Sequence, residues 1–156
     1  AVTKGLNPDA PMKDSGVEWL AKLPKHWVIS GLTKHLESVV DYRGRTPTKV
    51  AEGIFLVSAK NIRDGRIDYA TSREFITEDE YPKIMARGVP HFGDVLLTTE
   101  APLGQVANVD DESIALAQRV IKLRGLTNVL DNEFLKFWIM SDYCQGQFLR
   151  LATGST

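Results

Sequence analysis

The chain has 156 residues, 43% of them hydrophobic and 25% charged, with a formal net charge of −1. That balance suits one folded domain with a single core and excludes a disordered polar chain. A lone Cys144 excludes a disulfide framework, the scattered His26, His35 and His91 offer no zinc-ligand spacing, and no run reaches the roughly 18 apolar residues of a membrane span. The N-terminus shows no basic-then-apolar signal pattern, so a soluble cytoplasmic protein in a reducing compartment is expected.

Residues 1–15 are polar, contain Pro8 and Pro11, and read as an extended lead-in. Val17, Trp19, Leu20, Leu23 and Trp27 then gather large apolar groups around Pro24. Ser15 is placed to cap a short helical turn from Gly16 to Lys22 that Pro24 would end. A strand is expected over Trp27–Leu32, and Leu36, Val39 and Val40 suggest a short amphipathic helix after it.

Asp41–Lys49, DYRGRTPTK, has one apolar residue, three cations and two hydroxyls, with Gly44 and Pro47 to prevent regular structure. Arg, Lys and Thr supply the donors that contact phosphate oxygens, and Arg also pairs bidentately with guanine. An ordinary solvated surface loop has the same composition. Gly53–Ser58 reads as a buried strand, and its basic exit Ala59–Arg66 reaches a tight Asp64-Gly65 turn into a second strand, Ile67–Ala70. Asn61 in that exit has the amide that reads adenine, although stabilising its own turn is the commoner use of such a residue.

Thr77–Glu80 has the pattern of a capping box, with a helix expected from about Glu78 to Met85 or Ala86, short or kinked at Pro82. Gly93–Gly125 holds three β-branched runs, Val95–Leu97, Gln105–Val109 and Leu116–Leu123, read as consecutive strands of one sheet. The polar link Thr98–Gly104 becomes a loop at the sheet's end. From Asp131 the period turns helical, with Phe134, Leu135, Trp138 and Ile139 expected in the core, and Asp142 starting a second helix.

Charge is unevenly spread along the chain. Residues 42–66 carry Arg43, Arg45, Lys49, Lys60, Arg63 and Arg66 against Glu52 and Asp64, a balance of +4, whereas residues 74–112 carry nine acids against Lys83 and Arg87, a balance of −7. A basic face for a polyanion and charges scattered over a surface are both compatible with this. Phosphate-binding, dinucleotide, nucleophile-elbow and HExxH motifs are all absent, so no catalytic residue, metal ligand or cofactor is assigned.

The ordered segments DSGVEWLAKLPKHW at 14–27, GRTP at 44–47, GIFLVSAKNIRDGRI at 53–67, FITEDEY at 75–81, GDVLLTTEAPLGQVA at 93–107, AQRVIKLRG at 117–125 and LATGST at 151–156 resemble a target recognition domain from the DNA specificity subunit of type I restriction-modification systems. The resemblance spans nearly the whole chain. It implies a mixed α/β (α+β) domain with a twisted, mainly antiparallel or mixed sheet and short flanking helices. It also implies that residues 1–156 form a single recognition domain, with the spacer helices and a second such domain absent. The implied role is recognition of one half of a bipartite double-stranded DNA target, with methyltransferase (M) and restriction (R) subunits as partners that carry the catalysis. A single-chain restriction-methyltransferase and a protein-interaction module without DNA binding are the alternatives. Side-chain chemistry selects the candidate DNA contacts: Arg43, Arg45, Thr46 and Lys49 in the first basic loop, Lys60, Asn61 and Arg63 in the second, and Thr98, Thr99 and Gln105 around the third. Glu100 is read either as an acceptor from cytosine or as a group orienting an arginine, and Arg119 as pairing with an acid of the fold.

Overall fold

A computed structural model of the chain describes residues 3–44 and 46–152. The chain opens with a hairpin, β1 (Met12–Val17) against β2 (Leu20–Pro24), antiparallel with Met12 opposite Pro24. The helical turn expected over Gly16–Lys22 does not form. Gly16 takes φ +73° at an irregularity in the ladder, and the Ser15 hydroxyl, instead of capping a helix, bonds to the Leu20 carbonyl across the hairpin.

Trp27–Leu32 is not a strand either. A 3-10 turn, Leu32–His35, leads into β3 (Leu36–Asp41), where a helix was expected. Short apolar runs do not separate the two periods, and here Val39 and Val40 follow the β preference of branched side chains, because β3 has an antiparallel partner waiting far along the chain.

The next strand, β4 (Ile54–Val57), is the apolar run expected to be buried, and Leu56 and Val57 are fully enclosed. A 3-10 turn, Ala59–Asn61, then gives β5 (Ile62–Arg63) and β6 (Arg66–Ile67). Asp64 and Gly65 between them have φ +51° and +80°, the paired left-handed conformation that a two-residue hairpin demands. After β7 (Phe75–Ile76) comes α1 (Tyr81–Ile84), a single turn. It is shorter than the expected helix because Pro82 lies in its first turn, starting it where no amide partner is needed, and Glu80 makes no side-chain cap, so the capping box is not formed.

β8 (Val95–Thr98), β9 (Val106–Asn108), β10 (Ala115–Leu116) and β11 (Val120–Gly125) follow, then α2 (Asn132–Ile139) and α3 (Asp142–Leu151). Among the described residues the sheets run β3-β11-β8-β9, β10-β4-β7, β1-β2 and β5-β6, all antiparallel except the parallel β10–β4 pair. The fold is therefore mixed α+β with mainly antiparallel sheets. The single strand expected over Leu116–Leu123 is two strands in different sheets, broken at a turn where the Val120 amide donates to the Ala117 carbonyl at 3.2 Å.

Two apolar clusters hold these layers together. Leu56, Val57, Ile62, Ile76, Leu96, Leu116 and Val120 belong to one; Val95, Val106, Leu123, Leu135 and Ile139 belong to the other. Val95 and Leu96, adjacent in β8, fall into different clusters because successive strand side chains point to opposite faces. β8 is thus buried on both sides. α2 docks through Leu135 and Ile139, one turn apart, each contributing about 1.5–3 kcal/mol on burial. The Asp131 carboxylate caps its start by accepting from the Phe134 amide at 2.8 Å. Phe134 itself is exposed and Trp138 only half-buried, so Phe134 is no core residue.

One ionic cluster lies inside. Asp94, 1% exposed, takes two hydrogen bonds from the Arg124 guanidinium (2.6 and 2.8 Å), one from the His91 amide (2.9 Å), and stands 3.3 Å from the Lys122 ammonium, itself 2% exposed. Burial pushes the Asp94 carboxyl up, but the Arg124 and His91 hydrogen bonds and the two cations outweigh it and hold the group below its ordinary 3.8.

Candidate nucleic-acid interface

The two basic loops and the loop after β8 meet in space. A groove of about 290 Å³ is walled by Thr46, Pro47 and Lys49 from the first, Ser58, Ala59 and Lys60 from the second and Ala101 from the third, with Glu74 and the turn residues Gln118 and Arg119 completing it. A second concavity of about 410 Å³ shares Ala59, Lys60 and Ala101 with the first and continues past Arg63, Asp64, Pro102 and Gln105. Lys60 stands on the ridge common to both.

Side-chain hydrogen bonds to the backbone explain why the loops hold this arrangement. The Arg87 guanidinium donates to the Asp41 and Arg43 carbonyls at 2.6 Å each, fastening the root of the first loop. The third loop is closed from within: the Thr98 hydroxyl donates to the Pro102 carbonyl at 2.5 Å and accepts from the Gln105 amide at 2.9 Å, while Gln145 of α3 donates to the Gly104 carbonyl at 3.0 Å. Gln105 then joins the third loop to the second, its side-chain oxygen accepting from the Asp64 amide at 3.3 Å.

The candidate contacts divide by burial. Lys60 is exposed and makes no ion pair among the described residues. Thr46, Lys49, Arg63 and Gln105 line the two concavities. Asn61 is fully buried, and its amide is spent: it donates to the Asp68 and Ser72 carbonyls at 3.0 and 2.8 Å and accepts from the Ser58 amide and hydroxyl at 3.0 and 2.9 Å. Two donors and two lone pairs are thereby satisfied, which leaves nothing for a base, and the expectation that Asn61 reads DNA is corrected to a structural role. Thr98, fully buried, is corrected in the same way. Thr99 is half-buried with its amide and hydroxyl both directed to the Arg119 carbonyl at 3.1 and 3.4 Å. Arg43 is exposed but lies outside the groove walls, and Arg45 lies outside the described residues.

Most cations of these loops are paired with acids, some near in sequence and some distant. Lys49 pairs with Glu74 at 2.8 Å, Arg63 with Asp68 at 3.9 Å, Arg119 with Glu100 at 3.4 Å, and Arg43 with Asp41 at 2.5 Å. The Arg43 hydrogen bond draws the Asp41 carboxyl below its ordinary value. Glu74 and Glu100 come from the acidic stretch, so the groove is not uniformly basic: Lys49, Arg63 and Arg119 are each held beside an acid, and Lys60 is not. These pairs are half-exposed, weak, and open to competition from another anion. The reading of Glu100 as a group orienting an arginine matches its position on Arg119. Sequence reasoning missed Gln118 and Arg119 as groove residues, because Leu116–Leu123 carries none of the Gly, Pro, Asn or Asp residues that mark a turn and reads as one strand.

Among the described residues no cluster of His, Cys, Asp and Glu could hold a metal ion, and no helix is long and apolar enough to cross a membrane. No family model matches the sequence. The chain is 25% identical, over an alignment of 167 residues covering 98% of it, to the type I restriction enzyme MjaVIII specificity subunit of Methanocaldococcus jannaschii, of which it covers 36%. Its fold is similar to the crystal structure of the HsdS subunit from Thermoanaerobacter tengcongensis, with a TM-score of 0.59, 16% identity, and coverage of 92% of this chain and 33% of that one. The chain thus spans about a third of the length of either relative. The sequence relationship and the shared fold together support the resemblance drawn from the motifs, that of a target recognition domain of a type I restriction-modification specificity subunit.

Proposed function

We propose that the chain recognises double-stranded DNA through this groove and reads one half of a bipartite target. In this reading the chain is non-catalytic and works in the cytoplasm, directing methyltransferase and restriction subunits that perform the chemistry. The observation that carries the reading is the convergence of Thr46, Lys49, Lys60, Arg63, Gln105 and Arg119 on one pair of joined concavities. Hydroxyls and cations of this kind position a phosphate backbone, and planar donors address base edges.

Binding of the chain to a randomised duplex, followed across salt concentrations, tests it. Affinity in the non-specific range of about 10⁻⁴ to 10⁻⁶ M is expected, falling linearly on logarithmic axes as salt rises. Lys60→Ala should reduce that slope by about 1, because it removes one phosphate contact and an uncompensated charge. Binding indifferent to salt would exclude a phosphate-contacting face.

A further inference from the structure

We propose that Gln118 is a specificity-determining residue of this groove, reading an adenine in the duplex seated against it; the inference rests on the DNA-binding reading above. Three planar side-chain amides stand at the groove or just behind it, and they differ in what they have left to offer. Asn61 is wholly consumed by its own turn, and the Gln105 oxygen is engaged by the Asp64 amide. Gln118 lines the groove, is half-buried, and makes no hydrogen bond among the described residues.

Its backbone, by contrast, is fixed on both sides. The Ala117 amide donates to the Val57 carbonyl at 2.9 Å, tying the turn to β4, while the Arg119 carbonyl accepts from the Thr99 amide at 3.1 Å, tying it to the chain leaving β8. The turn therefore bridges two sheets and holds Gln118 between Lys49, Lys60 and Arg119, which attract the polyanion and set its register. A carboxamide presents one acceptor and one donor side by side, the complement of adenine N6 and N7. Being neutral, it adds nothing to the salt dependence.

The test is selection by the chain from a randomised duplex library, with sequencing of the bound fraction and a salt titration of each variant. The wild-type chain should enrich an A·T pair at one position. Gln118→Ala should lose that preference by roughly 5- to 150-fold at that pair alone, with the salt slope unchanged. Gln118→Glu should move the preference toward cytosine, whose N4 donates to a carboxylate. An enriched sequence identical in all three chains overturns the assignment, as does wild-type DNA binding with no enriched position. Uniform weakening of every sequence by Gln118→Ala, with the salt slope unchanged and the enriched sequence intact, makes the residue a neutral backbone contact and overturns it too. Failure of the wild-type chain to bind duplex in any salt-dependent way sinks the DNA reading itself, an outcome distinct from these.

Discussion

Lys60 and Asn61 sit side by side in one basic loop, and the fold sends one to solvent and the other to the interior. The Asn61 amide makes four hydrogen bonds to three residues, Ser58, Asp68 and Ser72, closing the turn that carries Lys60 onto the ridge of the groove. Asn61→Asp keeps the shape but loses both donors, and sets a carboxylate against two carbonyl oxygens. We expect it to lower stability by about 1–3 kcal/mol or more, read as a reduced urea midpoint with an unchanged slope. An unchanged midpoint would return Asn61 to the list of free surface amides. The sequence marks this loop as polar and basic, but which member turns inward depends on carbonyls seven and eleven residues further on. That dependence is why the region was legible and the roles of its residues were not. Thr98 shows the same thing: its hydroxyl is taken by Pro102 and Gln105, partners brought back by the loop's own curvature.

At the level of elements, legibility followed length and burial. β10 and β11 read as one run, Leu116–Leu123, and are two strands, whereas β4, β8 and α2 each announce themselves through a sustained period or a continuous apolar run. The β1–β2 hairpin and β3 do not, because their identity comes from pairing and not from pattern: β3 is a strand because β11 lies alongside it. The junction between β11 and α2 exposes another dependence on distant geometry. A Cβ at Gly125 would sit 2.1 Å from the Leu130 carbonyl oxygen and 3.0 Å from its carbon, while the Gly125 amide donates to Asn132 at 2.8 Å. Nothing there is a flexible side-chain end that can move aside. Gly125→Ala should therefore destabilise by about 1–3 kcal/mol or more, seen as a lowered Tm. The accompanying loss should be greatest in α2, which hydrogen exchange would show as faster opening of its amides. Protection of α2 equal to the wild type would contradict the close approach.

For the molecule as a whole, the Asp94 cluster makes stability depend on acid in a defined direction. The folded carboxyl lies below its unfolded value near 3.8, so its stabilisation is present in full above that value and is lost as the pH falls through the folded one. Denaturation midpoints should stay level on this account near neutrality and fall below about pH 4. Asp94→Asn should remove that part of the acid dependence and cost about 3–5 kcal/mol at neutral pH, since it strands the buried Lys122 and the half-buried Arg124 without their counter-charge. A variant as stable as the wild type at pH 7, retaining the same acid transition, would show that the cluster does not govern it.

The anchored turn carrying Gln118 and Arg119 has a consequence for how such a surface can change over generations. Its backbone is fastened to two sheets through its own main-chain amide and carbonyl groups, which are indifferent to the side chains at the tip. Gln118 and Arg119 can then be exchanged for other polar residues at little expense in folding, whereas Asn61, Asp94 and Thr98, equally polar in sequence, cannot. A library randomised at the first set should yield mostly folded chains, and one randomised at the second mostly unfolded ones. The domain is thereby divided into positions that can drift toward a new target and positions that must stay put for there to be a domain at all.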